Sequence, residues 1–372
     1  MHKWYHIIKS IVTKLLIIFL FLYLFEDALF SGKWKLTYIS EGVDELEVKE
    51  FNILKSFKSP RTIDNLPNQI DLYEPSMLKS FGNMTIKSIK MRWNTGGVNY
   101  SYLISGTNKQ GDVESVLIDP AEANEIIEEL NNEELQSIQV IANTHHHYDH
   151  AGGNLAMIKY LIGLDSTRQL KLIVGSETKD SAISKYSKNV KLEVAKDGDS
   201  IAIADSSIDV KFIRTPCHTQ DSVCYHVSNK DTKDTAIFTG DTLFTGGCGR
   251  FFEGTGQEMD AAINKKLTNF VPRDSLKHVK VFPGHEYTNS NIKFIRKRIY
   301  DKPGMNDALD KLERYMEINE CSTGIFSLKD EMDYNPFMRI DDPIVRTAVG
   351  DKDASWTRAQ VMDKLRIMKN SM

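Results

Sequence analysis

An apolar strand that stops on a cluster of histidines restricts this chain more than any other feature. Residues 138 to 142 (IQVIA) lead into Thr144-His145-His146-His147-Tyr148-Asp149-His150, and Ala151-Gly152-Gly153-Asn154 then opens a helical pattern. A strand alternates its side chains, so His145 and His147 leave to one side while His146 and Tyr148 turn away to pack or meet solvent. The turn that follows can aim Asp149 and His150 at a neighbouring point. One short HxHxDH segment can therefore serve two adjacent metal positions, a pattern that a surface histidine run does not explain.

The same strand-to-motif pattern recurs along the chain. After Met84, strand-like runs at 85–92, 101–104, 115–118, 138–142, 171–174, 209–214, 223–227, 236–239 and 279–282 alternate with amphipathic helical stretches. Ile126, Ile127 and Leu130 share one helical face, as do Leu155, Ile158, Leu161 and Ile162. This alternation predicts an α/β layer architecture. Beyond Pro283 only helices are predicted, at 292–300, 307–319 and 357–369, the last with Val361, Leu365 and Met368 on one stripe. The tail is thus a candidate helical second domain.

Three further ligand-type residues follow strand ends: His218 in TPCHT, Asp241 in TGDT and His285 in PGHEY. Singly, each would pass for a hydrogen-bonded structural residue. Jointly with the histidine segment they complete two sites, with His145, His147 and His218 on one metal, Asp149, His150 and His285 on the other, and Asp241 bridging. Imidazole and carboxylate ligands without thiolate fit two divalent ions, with zinc favoured and iron or manganese as alternatives. A water held between two cations becomes a nucleophile at neutral pH, so the predicted chemistry is metal-assisted hydrolysis in which Asp149, His150 and Asp241 are the catalytic candidates. Asp119, just past the strand at 115–118 and before Pro120, is a candidate to orient a ligand.

The chain has 372 residues, 41% of them hydrophobic and 26% charged, enough for about two globular domains. Its net charge of −4 offers no basic stripe for a phosphate backbone, which argues against a nuclease or another nucleic-acid partner. Cys217, Cys224, Cys248 and Cys321 are scattered without CxxC spacing, so neither a disulfide framework nor a thiolate metal site is expected. Residues 1–25 hold Lys3, Lys9 and Lys14, no acidic residue, and an apolar run from Leu15 to Phe25, which suggests a targeting or membrane segment. Residues 26–83 carry no cluster of ligand-type side chains, and Met84 is a second candidate start. The expected domains are therefore the segment 1–25, an extension 26–83, a catalytic domain 84–260 and a mainly helical domain 261–372.

THHHYDH at 144–150, TPCHT at 215–219, FTGDTLFTGGCGRFFEGT at 238–255 and PGHEYT at 283–288 together resemble the signature of the glyoxalase II family. The resemblance runs from Met84 to the C-terminus. It implies an αββα metallo-β-lactamase sandwich with a C-terminal helical domain, and hydrolysis of S-lactoylglutathione to D-lactate and glutathione. It further implies that Arg250, Tyr287, Arg366 and Lys369 hold glutathione, the last two matching the family's LRxxK ending as LRIMK. Phe252, a further substrate-binding candidate, stands where many members have tyrosine, so one hydroxyl contact to the substrate is expected to be missing. A glutathione-persulfide dioxygenase and a non-catalytic metal-binding protein are the alternatives. Asp149, His285 and the helical tail favour the hydrolase. A cytoplasmic monomer is expected, with a mitochondrial form, or a membrane-anchored one if residues 1–25 are retained, as the alternatives.

Overall fold

The computed structural model describes residues 36–41, 46–51, 78–176 and 181–372, in two units divided between residues 72 and 73. In the first unit, β1 (Leu36–Glu41) and β2 (Leu46–Phe51) pair antiparallel with Leu36 opposite Phe51. The apolar segment 1–25 lies outside the described residues. Among those described, no helix is long and apolar enough to cross a membrane.

The second unit opens with a seven-stranded sheet, β3 to β9, ordered as in the chain. Its strands are β3 (Leu78–Phe81), β4 (Met84–Met91), β5 (Asn99–Thr107), β6 (Val113–Ile118), β7 (Ile138–Ala142), β8 (Leu170–Val174) and β9 (Val190–Val194). The first four form an antiparallel meander, and β6 through β9 run parallel, linked by helices. A second sheet follows with β10 (Ser200–Ile203), β11 (Ile208–Arg214), β12 (Val223–Asn229) and β13 (Thr235–Gly240). After the short hairpin β14 (Leu243–Phe244) and β15 (Gly247–Cys248), β16 (Val279–Pro283) completes that sheet in parallel beside β13.

Side-chain alternation sorts the strand residues into three cores. Val116, Ile118, Val140 and Ala142 of the first sheet meet Phe212, Tyr225, Phe238 and Phe282 of the second in the space between the sheets. Their neighbours Leu117 and Ile141 point outward onto Ile126, Leu135, Met157, Ile158 and Leu161 of the helical layer. On the far side, Ile213, Cys224, Ile237 and Val281 pack on Phe294, Leu312, Val361 and Leu365 from the C-terminal helices and on Phe337 from a turn between them. Strands buried on both faces carry apolar residues at consecutive positions, and the two faces account for the layer order helix, sheet, sheet, helix.

The expected limits at 84 and 261 fall inside this arrangement. Leu78–Phe81 pairs with the strand that begins at Met84, so the sheet reaches back past that residue. Strand β16, beyond residue 261, belongs to the second sheet because Phe238 sits opposite Phe282. The C-terminal helices are Thr288–Arg298, Asp307–Met316, Leu328–Tyr334, Pro343–Val349 and Arg358–Asn370. The last begins at a Thr357–Gln360 capping box and buries Val361, Met362 and Leu365 against the second sheet's layer.

Direction within the sheets sets the site. Strands β6 and β7 are parallel, and β11, β13 and β16 share one direction because two antiparallel steps restore it. Their C-terminal ends deliver Asp119, the histidine segment, the 215–218 loop, Asp241 and His285 to one rim. Replacing Ile141, fully buried under the helices one strand position before Ala142, by alanine should cost about 2–5 kcal/mol in equilibrium denaturation.

Candidate metal centre

At that rim the seven ligand candidates converge. His147 Nδ1 lies 3.1 Å from both His145 Nε2 and His218 Nε2. His150 Nε2 and His285 Nε2 are 3.2 Å apart, and Asp149 Oδ2 lies 3.5 Å from His285 Nε2. The Asp241 carboxylate is divided between the two groups: Oδ1 is 3.3 Å from His150 Nε2 and 3.4 Å from His285 Nε2, while Oδ2 is 3.5 Å from His218 Nε2. Two nitrogens about 2.05 Å from a tetrahedral zinc are separated by about 3.3 Å, so these spacings suit atoms sharing a cation.

The residues themselves support that use. Asp241 Oδ1 is buried without a hydrogen-bond partner, an expensive condition unless a cation faces it. Gly284 leaves the room: a Cβ there would lie 2.7 Å from both Asp241 Oδ1 and His150 Cε1. Gly240, at φ +48°, brings Asp241 in beside Thr144, whose Oγ1 would be 2.4 Å from a Cβ.

Hydrogen bonds turn the imidazoles toward the centre. His150 Nδ1 donates to Asp119 Oδ2 at 2.9 Å, and His218 Nδ1 donates to the Arg250 carbonyl at 2.9 Å. His145 Nδ1 donates to Thr144 Oγ1, which in turn donates to Asp119 Oδ2. These three rings therefore present Nε2 inward. Asp119 takes a left-handed backbone at φ 52° to reach these donors, and also accepts Thr144 N–H. Asn99, which opens β5, donates to the Asp149 carbonyl at 2.8 Å and to its carboxylate at 3.3 Å. No motif around Asn99 announces this role, which depends on a chain reversal that brings β5 to the same rim.

Burial pushes His145, His147 and His218 below the usual histidine range, which leaves them neutral and ready to act as ligands. Burial works against ionised Asp241, but His285 and His150 hold it well below the usual carboxylate range. His150 runs the other way: its own burial would lower it, but Asp241 and Asp119 raise it.

His146 and Tyr148 do turn away. His146 Nδ1 meets Asp221 at 2.8 Å, and Tyr148 is exposed. Phe252 is 59% exposed, with its ring edge-on to His147 and His218 at 5.6 and 5.2 Å. Tyr287 is 39% exposed and stacks on His285 at 4.7 Å. Arg366 is only 8% exposed and donates to the Cys248 carbonyl, while Lys369 donates to the Ser290 carbonyl. Arg250 and Lys369 both bear electrostatically on Arg366, and among the described residues none of the three forms an ion pair. The four cysteines are free and buried.

Removing the Asp119 carboxylate leaves His150 without its orienting acceptor and frees the Thr144 hydroxyl. Asp119→Ala should weaken metal binding about 10- to 100-fold in chelator competition, with the helical content of the protein retained.

A family profile described as "Metallo-beta-lactamase superfamily" matches residues 94–285, and one described as "Hydroxyacylglutathione hydrolase C-terminus" matches residues 286–372. The chain is 50% identical over 291 residues to the hydroxyacylglutathione hydrolase, cytoplasmic isozyme, of Saccharomyces cerevisiae, covering 78% of this chain and 100% of that protein. It is 48% identical over 296 residues to the mitochondrial hydroxyacylglutathione hydrolase of the same yeast, covering 80% of this chain and 99% of the relative. With its αββα sandwich, its histidine and aspartate cluster suited to divalent metal and its helical C-terminus, this chain belongs to the hydroxyacylglutathione hydrolases, thioester hydrolases of the metallo-β-lactamase superfamily.

Proposed function

We propose that the protein hydrolyses S-lactoylglutathione to D-lactate and glutathione, and that two divalent ions, zinc favoured, occupy the rim. The observation that carries this reading is the division of the Asp241 carboxylate between two clusters of imidazoles, one with His145, His147 and His218 and the other with Asp149, His150 and His285. When bound, the cations supply Lewis-acid stabilisation to the carbonyl oxygen of the thioester and acidify water at neutral pH. Asp149 and Asp241 both stay ionised against their burial, so each can hold a proton donor in line. In the net reaction the acyl C–S bond breaks, a C–O bond forms to water, and the thiolate leaves to be protonated.

The glutathione half requires cations for its carboxylates. Arg250 acts electrostatically on Arg366, and Arg366 on Lys369, and none of the three is in an ion pair among the described residues, which supports that role. Tyr287, whose phenol is pushed up to about 12 by burial and then by Asp241, remains a neutral donor beside them. Phe252 offers a ring face and no hydroxyl, and it screens the first imidazole cluster from water. We further propose a monomer that acts in the cytoplasm, with a mitochondrial location, or membrane anchoring if residues 1–25 are retained, as the alternatives.

Loss of thioester absorbance with S-lactoylglutathione, measured beside metal content, tests the reading. Turnover with close to two metals per chain is expected, and Asp149→Ala should lose the second ion and fall at least about 100-fold in kcat. A folded, two-metal protein that leaves the thioester intact would overturn the substrate assignment. A pH profile tests Lys369, whose amine burial and then Arg366 lower to about 8. Its charge is present below that pH and lost as pH rises through it. The kcat/KM for the anionic substrate should therefore drop above about pH 8, with the drop moved upward in Lys369→Arg and absent in Lys369→Met.

A further inference from the structure

His285 differs from the other buried imidazoles of the cluster. Those of His145, His150 and His218 each have a hydrogen-bonded Nδ1, whereas His285 Nδ1 is buried with no partner. Ligating histidines usually depend on such a bond for their orientation. Something else must hold this ring. It stacks on Tyr287 at 4.7 Å with an interplanar angle of 10°, and meets the edge of Phe244 at 5.9 Å. Phe244 also meets Tyr287 edge-on at 5.1 Å, so the three rings form one block.

Glu286, between His285 and Tyr287, turns its carboxylate away from the rim. Its Oε2 accepts from Tyr100 Oη at 2.9 Å and from Ser322 N–H at 2.6 Å. Its Oε1 accepts from Thr288 Oγ1 and from Ser322 Oγ at 2.9 Å. Ser322 Oγ also lies 3.0 Å from Thr245 Oγ1, next to Phe244 in the chain. One carboxylate thus ties together β5, the loop at Ser322, the start of helix Thr288–Arg298 and the β14–β15 hairpin. The backbone adds to this: Glu286 N–H donates to the Val98 carbonyl, and His285 bridges Asn99, the residue that holds Asp149. With its acceptor positions filled from four donors, Glu286 is neither a ligand nor a base.

We infer that Glu286 is the positioning residue for both His285 and Tyr287, fixing through the Tyr100–Ser322–Thr288 network the ring stack that replaces a hydrogen bond to His285 Nδ1. This rests on reading His285 as a ligand and Tyr287 as a substrate contact. Loss of the carboxylate leaves Ser322 N–H and the buried Tyr100 hydroxyl without their acceptor and frees the turn. The loss should fall on one metal position and on substrate binding together, which a general loosening of the fold would not do.

The test uses the full chain stripped of metal and titrated with Zn²⁺ against a chromophoric chelator. Glu286→Ala should keep the tighter stepwise affinity and weaken the other about 10- to 100-fold, with KM raised more than kcat is lowered once zinc saturates. Glu286→Gln, which keeps an acceptor for Ser322 N–H and lets the hydroxyls reverse, should restore most of both. Two native affinities in folded Glu286→Ala, or equal weakening of both, would overturn the inference. If that variant does not fold, Tyr100→Phe combined with Thr288→Val removes two of the four donors and is judged by the same two outcomes. His285→Ala separates the levels: if it retains both ions, the ligand reading fails, and if it loses one while Glu286→Ala loses none, only the role of Glu286 fails.

Discussion

The carboxylate of Asp119 is the junction on which the site depends. It accepts the Thr144 N–H, the Thr144 hydroxyl and His150 Nδ1, all from the segment that carries four of the seven ligand candidates. A loop of polar residues between two sheets would otherwise have many conformations of similar energy. Three bonds to a single buried acceptor group, made from the end of the neighbouring parallel strand, select one. That Asp119 adopts a left-handed backbone to make them shows that local strain is accepted for the sake of this junction.

Around it, the sandwich supplies direction and the helices supply support. The parallel strands send their C-terminal ends to the same rim, so residues far apart in sequence arrive together without long loops. The C-terminal helices cover the second sheet and also reach the site. Arg366 anchors on the Cys248 carbonyl, Lys369 on Ser290, and the buried Glu331 accepts from Gly246 N–H and Asn335 to hold the β14–β15 hairpin. Substrate-binding candidates and metal candidates therefore share a framework.

Much of the site was legible from residue type and spacing. The HxHxDH segment, TPCHT, TGDT and PGHEY each follow a run of apolar residues, and strands observed at 138–142, 208–214, 235–240 and 279–283 match those runs closely. Helices Leu328–Tyr334 and Pro343–Val349 carry no such signal, because two turns are too short to set up a recognisable period. Strands β3, β9 and β10 were equally obscure: they are short and partly exposed, so polar residues dilute their apolar pattern.

The sequence by itself determined the candidate ligand types, their grouping at strand ends, the layer architecture and the family. These depend on local composition, on alternation along single elements and on motifs of a few residues. Only the tertiary structure decided that Asp241 divides its oxygens between two clusters, that Asn99 holds the turn bearing Asp149 and Glu286 the one bearing His285, and that Arg366 is buried among its contacts. Those facts are set by which strand ends meet across the sandwich, and a hydrogen bond between residues 50 or 186 positions apart leaves no periodic trace in either segment.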